Sequence, residues 1–146
     1  MSWRAGAQAL VERAGLRPRV GVVLGSGLGA VADAVEGATA IPYADLPGFP
    51  QPGVEGHAGL AVAGQIGDVP VVVLQGRAHL YEGGDPDLIR APIRALKGAG
   101  AEILVLTNAA GSLRIDLGPG RLMLIEDHIN LTGANLLAGP NDDDLG

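Results

Sequence analysis

Short apolar runs that each end in a glycine-rich or small polar motif set the strongest limit on what this chain can fold into. Val20–Leu24 leads into Gly25-Ser26-Gly27-Leu28-Gly29, Val69–Gln75 into Gly76-Arg77-Ala78-His79, and residues 103–107 into Asn108-Ala109-Ala110-Gly111. Apolar runs of this length, bounded by turn residues, read as strands. Glycines and small polar groups at their ends mark the points where the chain turns. Residues Trp3–Ala14 put Leu10 and Val11 on one face of a helix, with Ser2 available as its N-cap. A second helix is expected over 88–99, entered through Asp85-Pro86, kinked by Pro92 and ended by Gly98 and Gly100. Strands alternating with helices predict an α/β fold with an open sheet, in which ligands bind beyond the carboxyl ends of the strands.

The remaining elements refine that reading. An alanine- and valine-rich stretch to Val35 follows the glycine loop, so strand, loop and helix are expected in that order. Pro42, Pro47, Pro50 and Pro52 interrupt any regular element and predict a long loop, of the kind that is often functional or mobile. Residues 58–66 and Val69–Gln75, joined at Gly67-Asp68, read as a hairpin, which makes the sheet mixed. Residues 122–125 are expected to form the next strand.

Composition removes several classes of function. With 146 residues the chain has the length of one domain, and 47% hydrophobic against 18% charged residues is the balance of a globular protein rather than a disordered one. The 24 glycines and 10 prolines show no triplet period and fall between the apolar runs, as loop chemistry. A formal net charge of −6 with no basic cluster argues against nucleic acid as a partner. The absence of cysteine excludes disulfides and thiolate metal sites. No apolar run approaches a membrane span and the N-terminus has no signal-like apolar region, so a cytoplasmic location is expected.

Three segments carry groups suited to an anion. The loop from Gly25 to Gly29 offers backbone N–H groups and the Ser26 hydroxyl, although a glycine loop at a strand end can equally be a plain tight turn. It half-matches a dinucleotide fingerprint, but Asp45, at the right distance for the acidic partner, lies between Pro42 and Pro47 and closes no clear strand. Beyond Gln75, alternate side chains of an extended segment would bring Arg77, His79 and Tyr81 to one side. A guanidinium suits bidentate contact with phosphate oxygens, an imidazole adds a donor, and a phenol adds a hydroxyl on a stacking face. The alternative is an ordinary solvated loop. Asn108 is either an active-site amide or a turn residue, and His57, taken singly, is more often structural. His57, His79 and His128 have no short ligand spacing, so no metal site is expected.

Together these segments resemble the purine nucleoside phosphorylase family, in its trimeric type acting on 6-oxopurine nucleosides. The likeness rests on Leu24-Gly25-Ser26-Gly27-Leu28-Gly29, on Gly48-Phe49-Pro50 with Val54-x-Gly56-His57-Ala58-Gly59, and on Gln75-Gly76-Arg77-x-His79-x-Tyr81-Glu82-Gly83. It continues through Thr107-Asn108-Ala109-Ala110-Gly111 and Asp127-His128-Ile129-Asn130-Leu131-Thr132-Gly133 to Gly139-Pro140-Asn141-Asp142. The resemblance implies that Ser26, His57, Arg77, Ala78, His79 and the Ala109 backbone bind phosphate, with Arg77 and His79 serving the chemistry and Tyr81 contacting the ribose. It also implies phosphorolysis of purine nucleosides to a free base and a pentose 1-phosphate, without metal or organic cofactor, in a homotrimer when complete. The chain departs from the family in Asn135-Leu136-Leu137, in Asp143-Asp144-Leu145, and in length, since the half that grips the purine in the family has no counterpart here. The expectation is therefore the N-terminal part of such a domain, working with another segment. The alternatives are a methylthioadenosine phosphorylase-like enzyme and a non-catalytic phosphate- or nucleoside-binding fragment.

Overall fold

The computed structural model describes residues 3–50, 59–82, 85–139 and 142–144. Helix α1 spans Trp3–Ala14, and strand β1 follows at Val20–Leu24. Strand β2 is Glu36–Pro42, β3 is Leu60–Ile66 and β4 is Val69–Gln75. Helix α2 covers Asp87–Ala99 and leads to β5 at Ile103–Leu106.

The five strands form one sheet in the order β2-β3-β4-β1-β5. β4, β1 and β5 run parallel, with Val22 opposite both Val73 and Val105. β2, β3 and β4 are antiparallel, and the turn at Gly67 with φ 57° joins β3 to β4 as the hairpin the sequence predicts. The open mixed sheet is therefore as expected. Its parallel half has one consequence for function: the segments after β1, β4 and β5 all leave the sheet at the same end.

Strand alternation divides the core in two. Val72 and Leu74 of β4, Ala61 and Ala63 of β3, and Val23 of β1 join Leu10 of α1 and Ala95, Leu96 and Ala99 of α2 in the larger cluster. Val71, Val73, Val62 and Leu24 point the other way, onto Ala32 and Val35. Burial of a leucine such as Leu10, Leu74 or Leu96 contributes about 1.5–3 kcal/mol. Gly21 lets α2 approach β1, because a Cβ there would stand 2.8 Å from Leu96 Cδ1. Gly100, at φ 120°, closes α2 by sending its N–H to the carbonyls of Leu96 and Lys97. Pro92 lies buried inside this helix, and α2 runs through it as one element.

Four expectations need correction. After the glycine loop there is no α-helix, only the 3-10 segment Gly29–Ala34; Val35 is already extended, and pairing with β3 draws the following residues into the sheet as β2. The proline-rich stretch is not loose over its described part. Tyr43–Asp45 form a 3-10 turn, and Tyr43, Leu46 and Phe49 are buried in the main core, with the Tyr43 and Phe49 rings 5.2 Å apart. Its remainder, including His57, lies outside the described residues. The uninterrupted apolar run at 103–107 predicts a buried strand, yet β5 is an edge strand and its four residues are 40–63% exposed. Residues 122–125 form no strand; they are 52–97% exposed and pair with no described strand, and a strand without a ladder partner has nothing to hold it extended.

The Asp85 side chain accepts a hydrogen bond from the Asp87 N–H at 2.9 Å, so the predicted Asp85-Pro86 entry to α2 is borne out. Ser2 lies outside the described residues. No helix among the described residues is long and apolar enough to cross a membrane.

Candidate functional site

The three polar motifs meet at the carboxyl end of the parallel strands. Leaving β1, the glycine loop turns at once: the Leu28 N–H reaches the Gly25 carbonyl at 3.3 Å, Gly27 adopts φ 81°, and Ser26 is exposed. Gly25 lies directly against the end of β5. A Cβ there would come within 2.8 Å of the Thr107 carbonyl oxygen and 3.0 Å of Asn108 Cα. On the other side, the Gln75 amide donates to the Gly29 carbonyl at 3.2 Å, fastening the loop to the end of β4.

Arg77, His79 and Tyr81 follow β4 and line one side of a cleft of about 540 Å³ between the sheet and α2. The His79 and Tyr81 rings stack, with centroids 4.9 Å apart and an interplanar angle of 15°. The turn that carries them is closed from both directions. The Glu82 N–H donates to the His79 carbonyl at 3.1 Å, and the Glu82 carboxylate accepts the His79 N–H at 3.3 Å. Arg77 turns toward β5, where its Nη1 donates to the Thr107 carbonyl at 2.6 Å. This contact occupies one of the five donors of a guanidinium, and a planar fork held at one corner is oriented for an anion at the others.

The predicted residues thus fall into two adjoining groups. Arg77, Ala78, His79 and Tyr81 form the wall of the cleft. Ser26 and Ala109 are exposed on the loops after β1 and β5, do not line that cleft, and are joined to Arg77 through Thr107. The position of His57 lies outside the described residues. No group of three or more His, Asp or Glu side chains among the described residues could hold a metal ion.

Several contributors escaped the sequence reading. Thr107 is the link between the two groups. Tyr43 supports the wall from beneath: its buried hydroxyl donates to the Gly76 carbonyl at 2.8 Å, and burial pushes its phenol well above the usual range. No local motif marks either residue, since their partners are distant in sequence. Arg90 and Arg94 face the same cleft from α2, and their i, i+4 spacing was a signal that could have been read. Arg90 pairs weakly with Asp87 at 3.4 Å, and its Nε is buried without a partner among the described residues. Leu136 and Leu137 complete the lining. Beyond them Asp142 receives the Trp3 indole N–H at 3.1 Å and Arg4 at 3.0 Å, while Asp144 also pairs with Arg4, so the acidic stretch lies on α1.

Comparison with known proteins places this arrangement among relatives. The family model described as the phosphorylase superfamily matches residues 19–145. Purine nucleoside phosphorylase 1 of Geobacillus stearothermophilus is 51% identical over 140 residues, covering 96% of this chain and 51% of that protein. The Mycobacterium tuberculosis purine nucleoside phosphorylase is 49% identical over 144 residues, covering 97% and 54%. Among solved structures, Schistosoma mansoni purine nucleoside phosphorylase in complex with inosine superposes with a TM-score of 0.88 at 39% identity, covering 99% of this chain and 51% of that one. The chain spans about half the length of the relatives it matches.

Proposed function

The chain belongs to the phosphorylase superfamily, and from that membership we propose that it supplies the phosphate site and part of the sugar site for phosphorolysis of purine nucleosides. The observation that carries this reading is the convergence of the glycine loop, the Arg77 segment and the Asn108-Ala109 loop at one end of the parallel strands, joined at Thr107. Relatives that match nearly the whole chain are named purine nucleoside phosphorylases, and solved neighbours hold inosine or ribose 1-phosphate.

In this reading phosphate is held by Ser26, His57, Arg77, Ala78, His79 and the Ala109 N–H, and Tyr81 contacts the pentose. A phosphate oxygen forms a bond to the anomeric carbon as the bond from that carbon to the purine nitrogen breaks. The electron pair leaves with the base. Holding the anion beneath the sugar converts an encounter into a positioned reaction, and its charge stabilises the cation developing on the pentose. Arg77 and His79 act by orienting the anion and keeping its charge where that cation forms. In this reading none of the residues named here receives the departing purine. The reaction uses inorganic phosphate as co-substrate and calls for no metal or organic cofactor. A homotrimeric assembly, a cytoplasmic location and a role in nucleoside salvage complete the proposal.

Calorimetric titration of the purified chain with inorganic phosphate tests the central part, and saturable one-to-one binding is expected. Absence of binding would remove the phosphate site. A coupled assay for hypoxanthine released from inosine tests the division of labour. Missing even one group that stabilises developing charge costs about a hundredfold to a thousandfold in rate, so the chain alone should turn over far more slowly than the relatives it matches. Turnover of several per second that vanishes in Arg77→Ala would show that the catalytic groups are all present in this chain.

A further inference from the structure

We propose that Thr107 is the positioning residue of the phosphate site, its hydroxyl fixing the glycine loop and its carbonyl fixing Arg77, so that one residue sets the spacing of the groups around the anion. The inference rests on the phosphate reading above. Thr107 is the first residue after β5, and its N–H extends the ladder by donating to the Val23 carbonyl at 3.1 Å. Its Oγ1 donates to that same carbonyl at 3.1 Å and accepts the Gly25 N–H at 2.8 Å. A hydroxyl can do both at once, having one proton and two lone pairs. Its carbonyl accepts Arg77 Nη1 at 2.6 Å.

Thr107 therefore reaches the segments at the ends of β1 and β4 from the end of β5, adding to the strand ladder and to the Gln75–Gly29 contact. The close fit requires glycine at position 25, where a Cβ would meet the Thr107 carbonyl oxygen at 2.8 Å. Thr107 is half-buried, and water competes for its partners less than at exposed Leu106 and Asn108 on either side. Valine has the same shape as threonine but neither donates nor accepts, whereas serine keeps both functions and loses only the methyl group. The two substitutions consequently separate the hydroxyl from the packing.

The test uses the full chain as wild type, Thr107→Val and Thr107→Ser, with Ile41→Val as a core control of modest instability. Phosphate affinity is measured by calorimetry, and exchange of the Gly25 amide by NMR without phosphate. Loss of a hydrogen bond of ordinary net strength corresponds to about a three- to tenfold change. Thr107→Val should weaken phosphate binding by about that factor and speed Gly25 exchange, while Thr107→Ser and Ile41→Val stay near wild type in both measurements. An unchanged Gly25 amide in Thr107→Val overturns the role given to the hydroxyl. Equal losses in Thr107→Ser, or phosphate weakening in Ile41→Val of the same size, overturn it too, since packing or stability would then be the cause. A wild-type chain that binds no phosphate fails the functional reading instead, and Gly25 exchange still reads the tie itself.

Discussion

Arg77 is where charge, geometry and support coincide. Its guanidinium is held by the Thr107 carbonyl at 2.6 Å, and it shares the cleft with His79 and Tyr81. Charge-assisted hydrogen bonds contribute about 1.5–3 kcal/mol each, so Arg77→Ala should weaken phosphate binding by roughly ten- to a hundredfold. Calorimetry checks this, and Arg77→Lys should recover only part of the loss because an ammonium cannot reproduce the planar fork. Tyr43 acts one layer below. Replacing it by phenylalanine leaves the Gly76 carbonyl without its 2.8 Å partner and should cost about 1–3 kcal/mol in denaturant unfolding. The pH dependence has a defined sign. Burial raises the folded-state phenol above its ordinary value of 10.0, so the folded chain keeps the proton that the unfolded chain releases. This contribution is fully present below pH 10 and declines as pH rises above it, toward the folded-state value. Unfolding followed from neutral pH to pH 11 should show the wild type losing its advantage over Tyr43→Phe.

At the scale of elements, close approach outweighs local preference. Gly6 lies inside α1, where alanine would be favoured over glycine by about 1 kcal/mol on helix propensity alone. Yet a Cβ at that position would stand 2.5 Å from the Pro47 carbonyl oxygen and 3.4 Å from the Phe49 ring. The contact is with backbone, so α1 or the loop beneath it must move, and overpacking of this kind costs about 1–3 kcal/mol. Gly6→Ala is therefore expected to destabilise the chain, as a lowered denaturant midpoint at unchanged slope. A raised midpoint would show that the 46–49 loop yields at little cost. The same competition explains the missing helix after the glycine loop. Alanine and valine from 30 to 35 have no helical exclusion, but the residues after them gain a ladder partner in β3, with Ile41 opposite Ala61 and Ala40 opposite Val62.

For the molecule as a whole, the exposed edge strand β5 bears directly on association. Ile103, Leu104, Val105 and Leu106 are 50, 40, 41 and 63% exposed on an edge strand with no charge and no proline, the pattern most open to pairing with another chain. The purified chain should associate as its concentration rises, and Val105→Lys should reduce that association in light scattering while leaving the thermal midpoint nearly unchanged. Association insensitive to this substitution would point to another surface, such as the apolar residues 122–125. Strand β5 is legible as a strand because four apolar β-formers stand together, but exposure depends on what covers them, and no local pattern encodes a neighbour.

The sequence by itself determined the strand identities of Val20–Leu24 and Val69–Gln75, the Gly67-Asp68 hairpin turn and the span of α1. These follow from periodicity and turn stereochemistry, both carried within a few neighbouring residues. Only the tertiary structure decided that β2 would displace a helix, that Tyr43 would stand beneath Gly76, and that Thr107 would join Gly25 to Arg77. Those contacts span 18 positions of sequence, from Pro42 to Leu60, up to 82, from Gly25 to Thr107. Their partners are chosen by strand order and register, which a local window does not contain.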